Sequence, residues 1–196
     1  MPKAVSAVLP SDLRARMGAS LFIGSLVIFF VSSILLYAIY AWSRREDPFR
    51  LTPLPWTFLS STLCLFVISA LVHWATRSVR RDRWAKTSWL LAISTVAAVL
   101  FLAIQVIAML QMLDRTVATA GNGRGVIGMV IVLAFLHALH VAGGVVALGI
   151  VAARAAVGKY DHERHFAVDF AAQYWHFLDV VWLVMLVAFW ATTGGF

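Results

Sequence analysis

Residues 171–193 read AAQYWHFLDVVWLVMLVAFWATT. Most are Val, Leu, Phe, Trp and Ala, and the run is long enough to cross a bilayer, which takes about 20 apolar residues. It nevertheless carries His176 and Asp179 in its first half. A carboxylate in a spanning helix costs roughly 2.5–3.5 kcal/mol on insertion scales, so it persists where it faces protein and finds a partner. His176 and Asp179 stand at i and i+3 on one face. Trp175, Asp179 and Trp182 form a stripe at i, i+4 and i+7. This face is expected to pack on sibling helices, with Phe177 and Val184 left for lipid. Histidines in other spans, His137 or His140, are the expected partners of Asp179.

Four more runs of this kind precede it, at 19–42, 54–75, 88–113 and 126–153. The 196 residues are 62% hydrophobic and 13% charged. Soluble domains are about 45–50% apolar. The fold class that follows is all-α: a polytopic membrane protein, a bundle of five transmembrane helices behind a short polar segment, 1–18. The connections are short, so consecutive helices are expected to be antiparallel neighbours. Cys64 is the only cysteine and lies in a hydrophobic span. It permits neither an internal disulfide nor a thiolate metal cluster. The net charge is +7, but no basic run belongs to a soluble fold, and nucleic-acid binding is not indicated.

The basic residues set an orientation. The N-terminal segment, the 77–86 loop and the 154–164 loop hold eleven Lys and Arg; the other side, with Arg44, Arg45, Arg50, Arg115 and Arg124, holds five. The richer side is expected in the cytoplasm, with the N-terminus inside and the C-terminus outside.

Polar groups inside the remaining spans are mostly accounted for by packing. Pro53 and Pro55 stiffen the approach to the second span. Ser60, Ser61 and Thr62 let helices approach or hydrogen-bond across them. His73 beside Trp74 reads as an interfacial histidine with an aromatic anchor. Gln105 reads as an interhelical hydrogen bond. Ala134, Ala138 and Ala142 form a small-residue stripe beside His137 and His140, which share a face at i, i+3. A metal or haem site built from His137, His140 and His176 is the sharper alternative to packing, with Asp179 as a carboxylate behind a ligand. In the last loop, His162 and His165 have a spacing seen in zinc sites but lack a second ligand pair.

The segment Tyr174-Trp175-His176-Phe177-Leu178-Asp179-Val180-Val181-Trp182 resembles the YWHFVDVVW signature of subunit III of the haem-copper respiratory oxidases. Leu178 is the one departure. His137, His140, Val141 and Gly144 match that family's F-H-x-x-H-V-x-x-G segment. Gly18, Phe22 and Ser25 match the first-helix pattern of five-helix bacterial members, G-x-x-x-F-x-x-S-E, with Leu26 in place of the acid. Gln105 matches a Q-x-x-E pattern, with Ala108 in place of the acid.

The resemblance implies a non-catalytic subunit III of an aa3-type cytochrome c oxidase in the bacterial inner membrane. Such a subunit packs on catalytic subunit I and on subunit II, binds membrane phospholipid, and supports assembly and proton uptake. It implies no cofactor in this chain, haem and copper being held by the partner subunits. His137, His140, Gly144, Trp175, His176, Asp179, Trp182 and Gln105 then become candidates for packing or for a lipid cleft. The same segments suit a subunit III-like component of a quinol oxidase or nitric oxide reductase. A haem-binding membrane electron carrier and a small transporter are the rivals from other classes. The transporter fits poorly, because Asp179 is the one acid within the spans and no paired broken helices are visible.

Overall fold

The computed structural model describes residues 10–46, 53–120, 125–160 and 165–196, with the side chains of 10–12 and 115–120 outside the description. Five helices follow in order: α1 Pro10–Ser43, α2 Thr57–Val79, α3 Trp84–Ala120, α4 Val126–Ala156 and α5 Phe166–Thr193. Each contains a stretch long and apolar enough to cross a membrane. The shortest, α2, has 23 residues, or about 34 Å at 1.5 Å per residue, against a hydrocarbon core of about 30 Å.

Most helices outrun the hydropathic spans. α1 begins at Pro10 rather than at 19, α3 runs from Trp84 to Ala120, and α5 begins at Phe166 rather than at 171. Charged residues end an apolar run without ending a helix, which stops only where the backbone turns. The second span is corrected at its start: residues 54 and 55 are non-helical and the helix begins at Thr57, after the prolines. The stops are backbone events. Asp82 takes φ 52° in the turn between α2 and α3, a left-handed conformation that Asp tolerates better than most residues. Gly194 takes φ 92° and caps α5.

The helices α2, α3, α4 and α5 pack in cyclic order, each on the next and α5 back on α2, so they close a ring. α1 stands outside and rests on α4 and α5. Consecutive helices are neighbours from α2 onward, as short connections require, whereas the main packing of α1 skips over α2. The 47–52 connection that carries Arg50 and Thr52 lies outside the described residues, as do Lys3, Arg124, His162 and Arg164 and the side chain of Arg115.

The ring core is aromatic and aliphatic: Phe58, Phe101, Trp175, Trp182 and Phe189 are fully buried. Outside it, α1 shows Leu21, Ile28, Leu35 and Ile39 to the surroundings, and α3 shows Val96, Leu100 and Ile107. At the end of the bundle where α5 stops, Leu54 N–H donates to the Gly195 carbonyl at 2.8 Å. The Trp56 and Phe196 rings stand 5.9 Å apart at the same place.

Candidate functional site: the hub of α5 and its polar seam

Trp182 is the point on which the ring closes. Its indole Nε1–H donates to Thr62 Oγ1 on α2 at 2.9 Å. Its ring meets Phe58 at 5.5 Å, Phe101 of α3 at 6.5 Å, and stacks on His137 of α4 at 5.5 Å and 27°. One side chain of α5 therefore touches the three other ring helices. Thr62 in turn donates to the Phe58 carbonyl at 2.8 Å, so the indole is satisfied without exposing a free hydroxyl. The serine-threonine stretch of α2 does the interhelical bonding expected of it at Thr62. Ser61 donates within its own helix.

Trp175, Asp179 and Trp182 are all buried, as the stripe requires. Asp179 does not pair with His137 or His140. It lies 3.6 Å from Nδ1 of His176, its neighbour along the helix, and near the Ser69 hydroxyl of α2. Ser69 Oγ and His176 Nδ1 are 2.9 Å apart. The His176 ring also faces His73 at 6.4 Å. Ser69 is the residue sequence reasoning missed. Its one signal is its place four residues before His73, on the same face of α2. Phe177 is likewise corrected: it is half-buried, with its ring 6.0 Å from that of Phe30 of α1.

His137 and His140 separate despite their shared face. His137 is fully buried in the ring, and neither ring nitrogen has a hydrogen-bond partner. His140 turns toward α1, with its Nδ1 at 2.7 Å from the Leu136 carbonyl and its ring 4.9 Å from Phe30. His176 belongs to the α2 side. The three-histidine set is thus spread over three environments. Among the described residues, no group of three or more His, Cys, Asp and Glu side chains is close enough to hold a metal ion. His162 of the proposed loop pair lies outside the described residues, and His165 pairs with Asp169 at 3.3 Å.

Gln105 is buried with both amide atoms unpartnered. The expected interhelical glutamine bond is instead made by Gln111, whose Oε1 accepts from Thr57 at 3.1 Å. Gly144 permits the close approach of α5: an added Cβ would stand 2.9 Å from Tyr174 Cε1. The Tyr174 hydroxyl, so placed, donates to the His140 carbonyl at 2.9 Å. Leu26 and Ala108, at the two positions without an acid, are buried apolar side chains. Near the end of the ring formed by α2 and α5, Arg80 donates to both Asp169 oxygens at 3.1 and 3.2 Å.

An almost wholly apolar groove of about 170 Å³ opens between α4 and α5, lined by Gly144, Ala147, Val151, Phe166, Phe170 and Tyr174. The Arg16 guanidinium of α1 lies 6.0 Å from the Phe166 ring.

Residues 11–193, which include the whole hub and seam, match the family described as Cytochrome c oxidase subunit III. The chain belongs to that family. Curated proteins named cytochrome c oxidase subunit 3 are similar to this subunit III chain over most of its length. The one from Formosania lacustris is 31% identical over 190 residues, covering 91% of this chain and 70% of the relative. The one from Pylaiella littoralis is 31% identical over 183 residues, covering 84% and 65%. The one from Pongo abelii is 28% identical over 192 residues, covering 92% and 70%. The subunit III family places the chain with the haem-copper oxidases, as part of an oxidase complex. Its five apolar helices make it a multi-pass membrane protein.

Proposed function

We propose that this chain is a non-catalytic subunit III of an aa3-type cytochrome c oxidase of a bacterial inner membrane. It packs on catalytic subunit I and on subunit II, binds phospholipid, and supports assembly and proton uptake by the catalytic subunit. The observation that carries this reading is the use made of the signature segment 174–182. Trp182 closes the ring, Tyr174 ties α5 to α4, and His176 with Asp179 ties it to Ser69. The polar groups of the signature act as helix-to-helix fasteners. Haem and copper chemistry then resides in the partner subunits, and the contribution of this chain is to hold a surface in shape.

The apolar α4/α5 groove with Arg16 near its rim supports the lipid part: an acyl chain fits the former, and a phosphate headgroup the latter. The eleven basic residues assigned to one side support a cytoplasmic N-terminus. A reporter active only outside the cytoplasm, fused after Phe196, is expected to be active; activity at Arg80 instead reverses the topology.

The deciding experiment compares the complex with and without this chain. The stripped complex is expected to keep its haem and copper and to reduce oxygen at first. It then takes up protons more slowly at high pH, or inactivates sooner in turnover. Loss of metal in proportion to loss of this chain would make its histidines ligands. Asp179→Leu is expected to lower assembly more than turnover, because it removes the carboxylate from the Ser69–His176 cluster that joins α5 to α2, at about 1 kcal/mol for a helix-to-helix hydrogen bond. Normal assembly with abolished turnover would assign the carboxylate a chemical role.

A further inference from the structure

The outer faces of α1, α3 and α4 display aliphatic side chains at mid-span, such as Ile28, Val96 and Val146. The seam between α2 and α5 displays two imidazoles. His73 is exposed, and the His176 side chain is 43% exposed. Each stands two turns from the Arg80–Asp169 ion pair, roughly 10 Å deeper along its helix. That places His73 below the interfacial level read for it from its neighbour Trp74, at a depth where lipid tails offer no hydrogen bond and ionisable groups in spans almost always face protein.

We propose that the His73–His176 seam is the docking face for a transmembrane helix of a neighbouring oxidase subunit, one that presents a hydrogen-bond donor at this depth. The inference rests on the reading of the chain as an oxidase subunit.

Two features of the seam select that occupant. The first is polarity. Ser69 Oγ and Asp179 Oδ2 both lie on the Nδ1 side of His176, at 2.9 and 3.6 Å. A neutral imidazole donating from Nδ1 to Ser69 Oγ, whose hydroxyl is turned to Asp179, leaves Nε2, on the far side of the ring, as an acceptor. Asp179 also keeps its Oδ1 buried and unpartnered. The Nε2 acceptor on the exposed edge of the ring is therefore complementary to a hydrogen-bond donor. The second is shape. Ala70 is exposed beside Ser69 and His73, and small residues let a helix backbone come close.

The test uses the intact complex. A photo-crosslinking residue is placed at Ala70 or at Val180, both exposed beside the imidazoles. Controls carry it at Val96 and Val146. The complex is purified by a tag on this chain, and crosslinked peptides are mapped by mass spectrometry. Ala70 and Val180 are expected to join one helix of another oxidase subunit at least fivefold more than the controls do. His73→Leu is expected to cut that yield severalfold while this chain accumulates normally, and His73→Gln to restore part of it. Products with lipid alone, with a second copy of this chain, or at equal yield from the control positions would overturn the proposal while the oxidase reading stands. Purification of the tagged chain with no haem-bearing partner would overturn both.

Discussion

An added Cβ at Gly144 would meet Tyr174 at 2.9 Å, whereas the same atom at Gly24 would meet nothing within 4 Å. The two glycines stand for two ways of holding a helix. Within the ring, the missing side chain of Gly144 makes room for the Tyr174 ring of α5, and the fully buried Trp182 fills the centre. α1 lies against that ring along one strip: Phe30 meets His137, His140 and Phe177, Tyr37 bonds Thr192 and stacks edge-on with Phe189, and most of the remaining surface is exposed. Lipid is as apolar as leucine, so burial of aliphatic surface does not by itself drive helices together in a bilayer. Close packing and hydrogen bonds do, and the ring has far more of both than α1.

The largest expected effect tests whether the ring depends on its hub. Trp182→Ala removes a fully buried indole that touches three helices, and a loss of about 3 kcal/mol or more is expected. Reversible unfolding in mixed micelles would show it. A loss below about 1 kcal/mol, well under the usual cost of such a truncation, would mean that the ring closes without the hub.

Next is the contrast between the glycines. Gly144→Leu should destabilise by roughly 1–3 kcal/mol through overpacking against Tyr174. Gly24→Ala should be neutral or stabilise by up to about 1 kcal/mol, because it lowers the chain entropy lost in a helix without meeting a neighbour. The same unfolding curves decide both, and equal penalties would erase the distinction between the two helices.

Tyr37→Phe deletes the bond to Thr192 that fastens the C-terminal part of α1. About 1 kcal/mol or less is expected, read as faster exchange or cleavage in α1 with the ring unchanged. The smallest effect belongs to Arg80→Gln. The arginine side chain of that ion pair is 61% exposed, so the change should cost no more than about 1 kcal/mol and should fade with added salt.

The sequence made the spans legible because an apolar run of about 20 residues or more is rarely anything but a membrane-crossing helix. It also singled out segment 174–182, whose resemblance to one family extends to its aromatic spacing. The partners inside the bundle were less legible. Asp179 was expected to meet a histidine from α4, yet its neighbours are Ser69 and His176. A serine at mid-span leaves no periodic mark, and which helix lies beside α5 on that flank depends on the ring closing onto α2. Gln105 and Gln111 differ in the same way. Both lie on α3, but only Gln111 reaches the level where Thr57 begins the neighbouring helix. Helix ends were displaced because hydropathy reports the hydrocarbon boundary, whereas Asp82 and Gly194 report where the backbone turns.

The position of Trp182 on the fifth helix has a consequence for biosynthesis. A ribosome delivers α2, α3 and α4 to the membrane before the side chain that unites them exists. Until α5 leaves the translocon, Thr62, Ser69, Gln105 and His137 must wait in an open trough, with polar atoms facing lipid or the insertion machinery. The nascent chain is thus most vulnerable to membrane proteases in the interval between its fourth and fifth helices. A chain stalled there would carry its own degradation signal, in the form of the polar groups that the finished ring conceals.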